Sequence, residues 1–171
     1  MFHDHSDIDP RFPARRLTYA QVLVRDEEGN VLLVSDNARD TRAWDLLTWR
    51  ARKDEPSHDA AVQAAHEVAL DLDSFTLLLV DAVTARDDRT EALWFVFDGA
   101  ARADDALDGL PAPGQREDNL RFAHSVDIPL YCVDSHERIG RALDRLTNPS
   151  APIYLTNGHP PVATPPYGVP G

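Results

Sequence analysis

The chain has 171 residues, so one domain is the expectation, and a core of that size can be buried without disulfides or a structural metal. Its hydrophobic fraction of 43% and charged fraction of 27% are ordinary for a soluble globular protein. The formal net charge of −12 argues against nucleic acid or an anionic membrane as main partner, since both attract positive surfaces.

Residues 1–16 are polar, contain Pro10 and Pro13, and read as an N-terminal arm with no signal-peptide pattern. Leu17 to Arg25 is predicted as the first strand, with Ala20, Val22 and Val24 alternating against Tyr19, Gln21 and Leu23. The stretch Asp26-Glu-Glu-Gly-Asn30 reads as a tight turn in which Gly29 and Asn30 supply positive φ. Val31 to Ser35 returns as a strand, Asp36 to Ala43 is a polar loop, and Trp44 to Arg50 is extended.

A helix is predicted from His58 to Leu70, an alanine-rich run without Gly or Pro. Ser57 is its expected N-cap, and Asp59 suits the dipole of the first turn. Val62, Ala65, Ala69 and Leu72 form the expected apolar stripe, with Glu67 on the opposite side. Phe75 to Ala85 and Glu91 to Phe97 are strands joined as a hairpin through Asp87-Asp-Arg-Thr90. Gly99 to Gly114 is a loop. Leu120 to Val133 carries a further strand broken by Pro129, and Ser135 to Leu146 is a helix with Ile139, Leu143 and Leu146 on one face. From Thr147 onward the chain holds seven prolines and is expected to be extended or disordered rather than packed.

This order implies an α/β (α+β) fold: a mixed sheet with helices packed on its faces. It divides the chain into an arm (1–16), one domain (17–146) and a proline-rich tail (147–171). Cys132 is the single cysteine, so no internal disulfide forms and a Cys/His zinc cluster is disfavoured. In the apolar run Ile128 to Val133, a buried structural thiol is its expected state. No apolar stretch reaches the length of a membrane span, and the expected location is cytoplasmic. Lys53 is the single lysine amid abundant Arg, Ala and Asp, a bias that suggests a GC-rich bacterial genome.

The segment 44–72, in this element order, resembles the Nudix superfamily, and the resemblance covers roughly residues 17–146. Trp44-Asp-Leu46 matches the W-x-L lead-in of the family motif. Glu55 falls where the first motif glutamate belongs, Ala60-Ala61-Val62 matches the start of the motif helix, and Glu67 aligns with the first glutamate of the E-E pair. The closing helix and Ile153 to Gly158 resemble the ends of many actinobacterial members. The resemblance implies a Nudix-type α/β/α sandwich with a mixed, largely antiparallel sheet.

The departures from the motif bear on function. Thr48 and Trp49 replace the paired glycines, Gln63 the arginine, Ala64 its neighbouring glutamate, Val68 the second glutamate of the pair, and Leu70 the late glycine. In the family, helix carboxylates hold divalent metals that polarise a diphosphate and activate water. That chemistry needs several hard oxygen ligands on one ion, and a single Glu67 does not provide them.

Catalytic candidates are therefore Glu67, His66 and Glu117. The last precedes the final strand beside Asp118, in a loop from which some family members draw their base. Each competes with a plain alternative: a solvated helix residue for Glu67, a surface histidine for His66, a polar loop for Glu117 and Asp118. Glu55 reads as a loop residue, His58 as a weaker candidate, and His124 as a half-buried strand histidine. Ligand-binding candidates are Trp49, Arg50 and Arg52, with Arg42 as a further local cation. Trp49 could stack on a ligand or plug the core, and Arg50 and Arg52, alternating about Ala51, are expected on one side of the chain.

Three readings follow. The first is a repurposed metal-independent enzyme, a hydrolase, cyclase or isomerase, acting on a small metabolite in bacterial secondary metabolism. The second is a non-catalytic small-molecule or nucleotide-binding regulatory module. The third is a diphosphate hydrolase with relocated ligands such as Glu55, Glu67 and Glu117, the one reading that calls for Mg²⁺. The expected partner is a small-molecule ligand or substrate, without nucleic acid or membrane. The resemblance adds a homodimer, since family members are often dimers.

Overall fold

A computed structural model describes residues 16–35, 43–85, 90–101 and 119–161. The arm, the chain from Asp36 to Arg42, most of the joint between the two long strands, the loop through Asp118 and the last ten residues lie outside that set. So do Arg42, Glu117 and Asp118.

Seven strands are described: β1 (Leu17–Leu23), β2 (Val31–Val34), β3 (Leu47–Arg50), β4 (Leu72–Val83), β5 (Ala92–Ala101), β6 (Leu120–Ala123) and β7 (Tyr154–Thr156). The helices are α1 (Ser57–His66), α2 (Ile128–Tyr131) and α3 (His136–Thr147). Five strands form one sheet in the order β3-β1-β5-β4-β7, and β2 pairs with β6 in a second. In the larger sheet β1–β3 and β4–β5 are antiparallel, while β1–β5 and β4–β7 are parallel. The sheet is mixed as expected, with parallel pairings as numerous as antiparallel ones. None of the described helices is long and apolar enough to cross a membrane.

Two cores follow from the period-2 alternation of β1. Ala20, Val22 and Val24 join Ala60, Ala61, Ala64 and Ala65 of α1, with Leu47, Phe97 and Phe122. Leu23 faces the other way, into a cluster with Leu79, Val96, Leu155 and Ile139 and Ala142 of α3. The result is a sheet with α1 on one side and α3 on the other. Alanine serves α1 twice, through high helix propensity and by letting the helix axis approach the strands closely.

Several local expectations are corrected. Pro56, not Ser57, occupies the N-cap of α1, and no side chain caps it. The helix ends at His66 because Ala69 turns left-handed at φ 57 and the Leu70 N–H donates back to the Ala65 carbonyl at 3.0 Å. Ala69 and Leu72 thus leave the helical period, and the buried stripe is Ala60, Ala61, Ala64 and Ala65 instead. At the β1–β2 turn Gly29 has φ 82, but Asn30 does not share the positive angle; it binds the Asp26 carboxylate through both its backbone and its side chain.

The strand predicted through Val133 stops at Ala123. A 3-10 turn (Ser125–Asp127) and α2 follow. Pro129 lacks the N–H a strand ladder needs, but it fits a first helical turn, where that N–H is unpaired anyway. His124 is consequently not in a strand; it is exposed and its Nδ1 accepts from the Val126 N–H at 3.4 Å. The chain after Thr147 is not left unpacked either. It supplies β7, which lies parallel to β4, and buries Ala151 and Leu155.

Candidate functional site

β3 is an edge strand, and its register against β1 decides where the ligand candidates point. Trp49 pairs with Ala20 and packs half-buried against the alanine core under α1. Arg50 pairs with Tyr19, on the opposite side of the sheet, and is exposed. Beyond the strand the chain turns, and the Arg52 guanidinium comes to 5.6 Å from the centre of the Trp49 ring, a cation–π distance. The structure therefore groups Trp49 with Arg52 and sends Arg50 elsewhere. The indole Nε1 of Trp49 is buried, without a hydrogen-bond partner among the described residues.

Glu55 shapes the turn that places Arg52. Its Oε2 accepts from the Arg52 backbone N–H at 2.7 Å, and its own N–H donates to the Arg52 carbonyl at 3.1 Å. Asp54 completes the turn at φ 65. At the start of α1, His58 stands edge-on to Phe75 and Phe97, with ring centres 5.6 and 6.3 Å apart, so it packs as an aromatic.

The other side of the sheet carries a polar network that the sequence reading missed. Arg138, buried on the inner face of α3, donates from Nε to Gln21 Oε1 at 2.9 Å and from Nη1 to Asp81 Oδ2 at 3.2 Å. Its guanidinium lies 4.2 Å over Trp94, whose other neighbour is the Tyr19 ring, stacked at 4.2 Å. Gln21 donates in turn to Thr48 Oγ1 at 3.1 Å. Nearby, Asp45 Oδ1 accepts from Ser135 Oγ and from the Leu46 N–H, each at 2.8 Å. Burial raises the Asp45 carboxyl above the usual aspartate range, against the opposing pull of the Arg138 charge and these hydrogen bonds. Cys132 is a buried thiol as expected, pushed up to about 12 by burial and then by the Asp45 charge. The available signal was the placement of Gln21, Asp81 and Arg138 at inward positions of otherwise apolar elements.

No protein-family model matches the sequence, and no curated protein matches it. Solved structures do. A MutT protein from Methanosarcina mazei Go1 superposes with a TM-score of 0.57 at 14% identity, over 78% of this chain and 96% of its own. A MutT Nudix hydrolase from Burkholderia pseudomallei gives 0.55 at 19% identity, over 77% and 98%. The Nudix domain of Shewanella oneidensis NrtR, complexed with ADP ribose, gives 0.56 at 14% identity, over 83% and 95%. The chain has the Nudix fold.

α1 is the segment whose sequence resembles the family's motif helix, and its side chains test whether they suit a divalent metal. His66 closes the helix and Glu67 follows it; both are exposed, and no side-chain bond holds either among the described residues. Gln63 and Val68 are half-buried, and Ala64 and Leu70 are buried, so the remaining motif positions offer no carboxylate. Among the described residues, no three His, Cys, Asp or Glu side chains gather as a ligand set. One carboxylate does not satisfy Mg²⁺, which wants octahedral oxygen around it. The inner face of α1 is alanine and packs on the sheet.

Proposed function

We propose that this chain is a small-ligand-binding protein on the Nudix fold, with Trp49 and Arg52 as its ligand platform and no metal-dependent diphosphate hydrolysis. The observation that carries the reading is the Trp49–Arg52 pair: a half-buried indole with a guanidinium over it. Such a pair suits a planar, anionic ligand, which offers a stacking face and a charge for the guanidinium. The NrtR domain solved with ADP ribose supports a nucleoside diphosphate sugar as first probe.

The test is a calorimetric titration of ADP-ribose and related nucleotides into the protein, with product release followed in parallel, with and without Mg²⁺. Binding without turnover, weakened at least tenfold in Trp49→Ala and Arg52→Ala, is the expected result. Magnesium-dependent cleavage would overturn it and restore a hydrolase with relocated ligands. Glu55 enters such a set already engaged by the Arg52 backbone.

A second reading, the metal-independent enzyme, is favoured by one feature. His66 and Glu67 follow one another at the end of α1, exposed and without a side-chain partner among the described residues, where they can serve as a base for a bound metabolite, with Glu117 as a third candidate. Turnover of any probe in the presence of chelator, lost in Glu67→Gln, would select it.

A further inference from the structure

We propose that Asn157, in the turn after β7, is a covalent modification site that the fold keeps shut. Of the five asparagines in the chain, it alone precedes a glycine. Glycine has no side chain, so its backbone nitrogen is the least hindered nucleophile that an asparagine side chain can meet. In ring closure the Gly158 nitrogen bonds to Asn157 Cγ and the Cγ–Nδ2 bond breaks. The departing nitrogen takes up the Gly158 amide proton and leaves as ammonia, and a cyclic imide remains. Water opens that ring at either carbonyl. One product is aspartate; the other is isoaspartate, whose main chain is one methylene longer.

The folded turn opposes the first step. Asn157 and Gly158 have φ 52 and φ 81, the left-handed pair of a tight turn closed by backbone bonds of 2.7 and 3.1 Å between Thr156 and His159. The nitrogen that must attack donates instead to Asp81 Oδ1 at 2.9 Å, in a buried bond. The side-chain amide is held too: its Oδ1 accepts from the Thr84 N–H at 3.0 Å, and its Nδ2 donates to Thr84 Oγ1 at 3.2 Å. Nucleophile and electrophile are thus bound to different residues. Opening of the turn frees both together. β7 has three residues and lies at the edge of the described five-stranded sheet, so it can open without global unfolding. Isoaspartate then bars the return, because even a Cβ on Gly158 would lie 3.0 Å from Glu137 Cβ and a longer main chain has no room beside α3.

The test is peptide mapping by mass spectrometry of the full chain, held for weeks at pH 8 in buffer or in guanidinium, reading deamidation and isoaspartate at residue 157. Three variants run beside wild type in buffer, each with a thermal melt to show that it folds. Asp81→Leu with Arg138→Met removes the acceptor of the Gly158 N–H. Thr84→Val, at an exposed position, removes the hydroxyl that holds Nδ2 and carries the test should the double variant not fold. Gly29→Ala weakens a different turn and is the control. Wild-type Asn157 is expected to react at least tenfold faster in guanidinium than in buffer. In buffer the double variant should react about tenfold faster than wild type, Thr84→Val severalfold faster, and Gly29→Ala at the wild-type rate. Equal wild-type rates in buffer and guanidinium, no reaction at residue 157 in guanidinium, folded variants that react like wild type, or a Gly29→Ala rate that matches theirs overturns the proposal.

Discussion

Asp81 of β4 and Arg138 of α3, 57 residues apart, form a buried ion pair at 3.2 Å, with side chains 1% and 7% exposed. The other oxygen of Asp81 accepts from the Gly158 N–H at 2.9 Å. One carboxylate thus ties α3, the central sheet and the turn after β7 together. Asp81→Ala should cost about 3–5 kcal/mol in urea unfolding, because it leaves a buried guanidinium uncompensated. The double replacement Asp81→Leu with Arg138→Met should recover most of that loss. A single-variant loss below about 1 kcal/mol would mean that Arg138 reaches water.

Gly158 and Gly29 have nearly the same backbone, φ 81 and φ 82. A Cβ at Gly158 would lie 3.0 Å from Glu137 Cβ, whereas one at Gly29 would meet nothing within 4 Å. Alanine at either should cost about 1–2 kcal/mol for the left-handed conformation. The Gly158→Ala variant should lose more than Gly29→Ala in a matched denaturation series. Equal losses would show that the β7 turn shifts away from α3 freely.

Asp45 predicts a direction of pH dependence. Its carboxyl is raised in the folded state, so folding favours the protonated form. That contribution is complete below the unfolded value of about 3.9 and is lost as pH rises through the folded value. Asp45→Asn keeps an acceptor for Ser135 and Leu46 and does not titrate. Its stability relative to wild type should therefore grow between pH 4 and pH 7, read from urea midpoints. A constant gap would mean that the carboxyl is not raised.

Cys132, pushed up to about 12, should be a neutral thiol at pH 8. Native protein should react with an aromatic disulfide reagent only at its rate of opening, and one thiol should titrate at once in denaturant. Fast native labelling would contradict the burial of the α2–α3 corner.

The fold was legible where one face of an element alternates cleanly. Ala20, Val22 and Val24 announced β1, and Ile139, Leu143 and Leu146 announced α3, because a single period decides burial there. Legibility failed where tertiary partners outvote local pattern. The run from Ile128 reads as strand on composition, but the β6 ladder on β2 ends at Ala123, and Pro129 turns the rest into α2. Residues 154–156 look like tail until β4 provides a parallel edge.

The candidate site divided in the same way. Sequence alone determined that the segment forming α1 and the turn after it carries Gln63, Ala64 and Val68, because residue identity needs no coordinates. It also placed Trp49 and Arg52 near one another in the chain. Only the tertiary structure decided that they meet while Arg50 turns away, since strand register sends adjacent side chains to opposite faces and a turn held by Glu55 brings Arg52 back. The Asp81–Arg138 pair was likewise beyond the sequence, because contacts 57 residues apart are set by how helices pack on sheets and not by any local period.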